Sequence, residues 1–119
     1  MTDPQLTDDF PMDVFSALCP SRESFRNVSG RWGSLVLMAI DGGATRFGDI
    51  RRCIDGLSER MLSQTLTALT DDGFVLRSED GAGRPIYALT SGGSAVTVKV
   101  KELRDTVYAH LESRSVETS

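Results

Sequence analysis

The stretch that most restricts the fold runs from Ser58 to Leu89, where a helix with both ends marked leads straight into two strand-like segments. Ser58 offers a side-chain oxygen to the unpaired N–H groups of a helical first turn, and Gly73 supplies the left-handed residue that closes the last one. At about 100° per residue, Leu62, Thr65, Leu66 and Leu69 gather on one face, and Arg60, Ser63, Gln64, Thr67 and Asp71 fall on the opposite one. Residues 74–79 and 84–89 then read as strands joined by Asp80-Gly81-Ala82-Gly83, a glycine-rich hairpin turn. Pro85 lacks an N–H and confines its strand to an edge.

Upstream, residues 20–28 predict a short amphipathic helix with Phe25 and Val28 facing inward. Residues 32–40 are apolar nearly all round, the mark of a helix buried on most of its surface, and Asp41-Gly42-Gly43 stops it. Phe47, Ile50 and Ile54 then recur at helical spacing, with Arg51 and Arg52 on the other side. Buried helix, short helix, turn, capped polar-faced helix and hairpin is the order of a winged helix-turn-helix, an α+β fold that is mainly α. The chain's 119 residues fit one domain.

A final helix is expected over residues 91–111, carrying Val96, Val100, Leu103, Val107 and Leu111 at spacings of four, three, four and four. A single terminal helix on a small winged domain has little core left to meet. This stripe is therefore expected to form a dimer seam with Phe10, Val14, Phe15 and Leu18, ordinary core packing being the alternative. The layout expected is an N-terminal arm at 1–18, a winged domain at 19–90, a dimerisation helix at 91–113 and a disordered tail at 114–119.

Charge bears on the partner. Thirteen Lys+Arg against seventeen Asp+Glu give −4, which argues against nucleic acid only if the charges are spread evenly. They are not: residues 1–21 hold four aspartates and no cation, while residues 22–64 hold seven arginines against five acids. The outer face of the capped helix offers what base edges require: Arg pairs with guanine, Gln with adenine, and Ser or Thr with either. A plain solvated face is the competing reading. Enzyme chemistry finds little support, because the one histidine, His110, lies near the end of the expected final helix and no phosphate-binding glycine loop follows a strand. No catalytic residue, cofactor or metal is expected. No apolar run reaches a membrane span and the first residues are acidic, so no membrane contact and a cytoplasmic location are expected.

With these elements in order, the sequence resembles the HxlR family of bacterial winged-helix transcriptional regulators over residues 19–111. Cys19-Pro20 opens the match, and Gly30-Arg31-Trp32 looks like the family's Gly-Lys-Trp step with Arg in place of Lys. The runs 46–52 (Arg-Phe-Gly-Asp-Ile-Arg-Arg), 56–66, 72–75 (Asp-Gly-Phe-Val) and 87–90 (Tyr-Ala-Leu-Thr) follow in family order and spacing. The departures fall on the wing: a compact Gly-Ala-Gly tip, and Pro85-Ile86 where relatives carry Val-Glu. The resemblance implies a homodimer on double-stranded operator DNA, reading two half-sites roughly 34 Å apart. It places Ser58, Arg60, Met61, Ser63, Gln64 and Thr67 at or near base edges, and Arg46, Arg51, Arg52, Arg77 and Arg84 on phosphates.

Cys19 precedes Pro20 and so would cap the helix that follows, where amide dipoles favour a thiolate. Relatives with a cysteine here include redox- and electrophile-sensing repressors, so the resemblance implies oxidation or alkylation of Cys19 as a switch, the inducer being an oxidant, an electrophile or another small molecule. A small packed thiol is the alternative. Cys53 is expected to pack against the core. Two further readings remain open: a ligand-triggered regulator with a site near Trp32 and Phe25, and a winged module for protein contacts without DNA.

Overall fold

The computed structural model describes residues 12–118. At its centre lies α2 (Gly33–Asp41), packed by α1 (Pro20–Ser29), α3 (Phe47–Cys53) and α4 (Glu59–Asp71). Val36, Leu37 and Ile40 of α2 are buried against Ile50, Ile54 and Leu57 and against the α4 stripe Leu62, Leu66 and Leu69. Each such side chain is worth roughly 1.5–3 kcal/mol when fully buried, which makes this cluster the mainstay of the fold.

The wing is an antiparallel pair, β1 (Val75–Glu79) and β2 (Pro85–Leu89), with Val75 opposite Leu89, Arg77 opposite Tyr87 and Glu79 opposite Pro85. Val75 and Tyr87 reach the core, and the Tyr87 N–H donates to the Thr45 carbonyl at 2.8 Å, pinning the wing to the loop before α3. Helix α5 (Ser91–Thr118) begins where the Thr90 hydroxyl donates to the Gly73 carbonyl (2.7 Å) and accepts from the Gly93 N–H (3.0 Å). Position 93 has to be glycine, because a Cβ there would run into the Phe74 carbonyl oxygen. Five helices and one two-stranded sheet among the described residues make the expected winged helix-turn-helix.

Several expectations change. Helix α5 does not end at 111–113 but continues to Thr118, since no glycine or proline after Gly93 interrupts it; the expected tail is helical over its described part. Val96 is partly buried against the core and Val100 is half-buried, and both line the groove that Leu103 and Val107 wall. Phe25, expected inside, is exposed: only Val28 of α1 turns fully into the core, and Phe25 overhangs the same open groove between α1, α2 and α5. Cys53 is exposed as well. Residues 13–18 of the expected arm form turns, and Phe15 and Leu18 are 91% and 94% exposed; Phe10 lies outside the described residues.

Candidate nucleic-acid interface

Helix α4 is closed at both ends as its sequence requires. Ser58 Oγ accepts from the Met61 N–H at 3.1 Å, and Gly73 takes a φ of +84° while the Phe74 N–H returns to the Leu69 carbonyl at 2.9 Å. A bond from the Asn27 amide to the Asp72 carboxylate (2.7 Å) also ties α4 to α1. The side chains of Arg60, Ser63, Gln64 and Thr67 are exposed and form no hydrogen bond or ion pair with any described residue. A polar face thus protrudes on a rigid helix with its donors and acceptors unspent.

This ridge stands between two clefts. One, of about 340 Å³, separates it from the wing and is lined by Ser63, Thr67, Asp71, Arg77 and Tyr87. The other, of about 280 Å³, separates it from the turn between α1 and α2 and brings Arg26, Arg31 and Trp32 opposite Met61 and Gln64.

The arginines expected on phosphates divide. Arg52 and Arg84 are well exposed, each with an acid beside it, Asp49 and Asp80 respectively. Arg77 is half-exposed, 3.8 Å from Glu79. Arg51 braces the chain leading into α4, donating from Nε to the Leu57 carbonyl at 3.1 Å. Arg46 points into the wing, with Nη2 2.8 Å from Asp80 Oδ2 and Nη1 donating to the Pro85 carbonyl at 3.2 Å. It is a strut rather than an open cation.

Asp80 was not singled out from the sequence. Its Oδ1 accepts from the Ala82 and Arg84 N–H groups (2.8 and 2.9 Å), and Oδ2 from Arg84 Nε (3.2 Å) and Arg46. Its carboxyl is lowered to about 2, first by the Arg84 N–H, against some desolvation, and further by the Ala82 N–H and the Arg46 guanidinium. The signal for part of this was local: Asp at the first position of a glycine-rich turn accepts from the backbone two residues on.

Cys19 occupies the N-cap of α1 and is buried. The Ser21 hydroxyl, 2.8 Å from Sγ, holds the thiol below its ordinary range; burial opposes this, and the N–H groups of Asp13, Ser21 and Arg22 add to it. The Asp13 N–H lies 3.3 Å from the sulfur, and Cys19 lines a cleft of about 250 Å³ with Ala17, Arg22, Glu23 and Arg26. Among the described residues no group of three His, Cys, Asp or Glu is placed to hold a metal ion, and no helix is long and apolar enough to cross a membrane.

The family model for HxlR-like helix-turn-helix proteins matches residues 27–115. The chain belongs to that family. Like the other HxlR-like proteins, it is a DNA-binding transcriptional regulator and not an enzyme. It is 44% identical over 101 residues to the uncharacterized HTH-type transcriptional regulator YtfH of Escherichia coli, covering 83% of this chain and 80% of the relative. The Salmonella typhimurium ytfH structure superposes with a TM-score of 0.76 at 40% identity, covering 88% of this chain and 96% of that one. The diamide-treated YodB of Bacillus subtilis, also a winged fold, does so with a TM-score of 0.63 at 27% identity, covering 76% and 92%.

Proposed function

We propose that two copies of this HxlR-like chain bind an inverted-repeat operator, each seating α4 in a major groove, and that modification of Cys19 loosens the grip. The observation that carries the reading is the unspent polar ridge of Arg60, Ser63, Gln64 and Thr67 on a helix fixed at both ends and flanked by clefts on either side. In this reading Ser58 and Met61 lie at the ridge's entry to the groove. Arg52, Arg77 and Arg84 neutralise phosphates, while Arg51 and Arg46 position the elements that carry them.

Pairing is supported by α5. A helix of 28 residues is about 42 Å long, and the winged core covers only its first part; residues 105–113 are all exposed. Leu103, 64% exposed, and Val107 wall an apolar groove of about 720 Å³ with Phe25, Leu35, Met38 and Tyr108, and Leu111 is exposed one turn further along the helix. A second copy's helix and N-terminal turns are the natural filling for such a surface.

The switch is supported by the lowered Cys19 thiol and by the place of diamide-treated YodB among the similar structures. Diamide takes one hydrogen from each of the two copies' Cys19 thiols, two electrons and two protons in all, and leaves the two sulfurs joined in a disulfide; an electrophile forms a bond to sulfur as the thiol proton leaves. Either outcome displaces Asp13 and Ser21 from a buried sulfur at the head of α1. The Asn27–Asp72 bond passes that disturbance to α4.

Fluorescence anisotropy with duplexes from the gene's own upstream region tests the reading. Salt-sensitive binding of two chains per inverted repeat is expected. Failure to bind any such duplex at low salt overturns it.

A further inference from the structure

We infer that Arg31, stacked on Trp32, anchors the phosphate backbone on the side of α4 away from the wing. The inference rests on the proposed seating of α4 and adds a contact to the phosphate set of Arg52, Arg77 and Arg84. A helix with its side chains is about 10–12 Å across and the B-DNA major groove about 12 Å wide, so a seated helix has a phosphate strand close on each flank. On the wing flank Arg77 lines the cleft beside Ser63 and Thr67. On the other flank the cleft beside Met61 and Gln64 is rimmed by Arg26 and Arg31, and no carboxylate lines it. Arg26 has an exposed acid beside it, Glu23 at 3.4 Å, whereas Arg31 is in no ion pair with a described residue.

The support under Arg31 gives it a specific use. Its guanidinium carbon lies 4.5 Å from the centroid of the Trp32 ring, and Trp32 packs against the core. Cation–π attraction holds a guanidinium over the ring through the ring's own charge distribution and spends no carboxylate on it, so the N–H groups turned away from the ring are left for a phosphate oxygen. The ring therefore orients the cation without consuming its donors, and less side-chain freedom is lost when phosphate binds. Arg31 and Arg77 then face the two strands of one groove from opposite sides of the same helix.

Salt titrations of operator and scrambled duplex with Arg31→Ala and Arg31→Gln test this, the glutamine variant keeping a planar group on Trp32. Loss of one phosphate contact per subunit lowers the slope of log K against log salt by about 0.9, so a dimer is expected to lose about 2. Both variants should weaken both duplexes by the same factor, and ethylation of a phosphate beside the bases read by Gln64 should inhibit the unaltered protein but not the variants. A purely structural clamp predicts a lower melting temperature with the slope unchanged. An unchanged slope in folded Arg31→Gln overturns the Arg31 inference alone, whereas absence of binding by the unaltered protein overturns the operator reading beneath it.

Discussion

Arg46, at the N-cap of α3, and Asp80, at the tip of the wing, form an ion pair 2.8 Å long that joins two elements 34 positions apart in the chain. The pair is largely enclosed, with the side chains 35% and 16% exposed, and Arg46 also holds the Pro85 carbonyl. The angle of the wing to the helix-turn-helix is therefore set by a charge pair. Arg46→Ala should weaken operator binding several-fold while leaving the salt slope unchanged, and combining it with Asp80→Asn should be little worse than Asp80→Asn alone, because the strut is then already gone. A phosphate-binding Arg46 would instead lower the slope by about 0.9 per subunit, and only in the Arg46 variant.

Asp80 also dictates a pH response. Its carboxyl is lowered from an ordinary 3.8 to about 2 in the folded chain, so the stabilisation is present above pH 4 and is lost as pH falls through about 2. Wing amides followed by hydrogen exchange should lose protection between pH 4 and pH 2 in the unaltered protein. In Asp80→Asn the protection of these amides should already be low at pH 5 and nearly independent of pH across that window.

Base reading and backbone holding separate in the variants of two exposed residues. Gln64→Ala should narrow the affinity gap between operator and scrambled duplex by about 1–3 kcal/mol, the worth of a bidentate base contact. Arg52→Ala should weaken both duplexes alike and lower the slope by about 0.9 per subunit. Arg51 is a poor choice for this second test, because its Nε bond to the Leu57 carbonyl makes its loss a disturbance of the approach to α4 as well. Anisotropy at four salt concentrations distinguishes the two patterns.

The contrast between Ser58 and Arg46 explains how much could be read before folding. Ser58, Gly73 and the Leu62, Leu66, Leu69 stripe act through neighbours within one or two turns, so spacing alone placed α4 and its outer ridge. Arg46 acts through Asp80, and Asn27 through Asp72; an isolated cation or amide in a sequence shows its chemistry but not its partner. Phe25 illustrates a second gap. Helical period tells which face is apolar, yet whether the covering surface belongs to the same chain depends on packing that periodicity does not contain. The helix boundary at Thr118 was missed for a simpler reason, since the polar residues after Leu111 include no helix breaker.

The exposed apolar wall of α5 leads to a prediction about assembly. Leu103→Glu places a charge on the groove rim without touching the core, so the chain should fold and run as a monomer in analytical ultracentrifugation where the unaltered protein runs as a dimer. Operator affinity should drop by about 10²–10⁴-fold, the benefit of linking two half-site contacts, while binding to a single half-site changes little. Dimerisation that survives Leu103→Glu and Val107→Glu together would place the seam elsewhere.

Cys19 couples burial to reactivity, and the two make opposite demands on its kinetics. The Ser21 hydroxyl and nearby N–H groups favour the thiolate, so alkylation by iodoacetamide should reach half its maximal rate at a pH below that of an ordinary thiol. The sulfur is buried, however, with the Asp13 N–H against it and at one side of a cleft lined by Ala17, Arg22, Glu23 and Arg26, so loosening of the 13–18 turns widens the reagent's path to it. Asp13→Pro removes the N–H that faces the sulfur and should raise the maximal rate by loosening these turns. Modification by diamide or an aldehyde should then lower operator affinity in the unaltered protein and in Asp13→Pro, and leave Cys19→Ser unaffected. Equal loss of affinity in Cys19→Ser would move the switch to another group, with the exposed Cys53 thiol the first to replace.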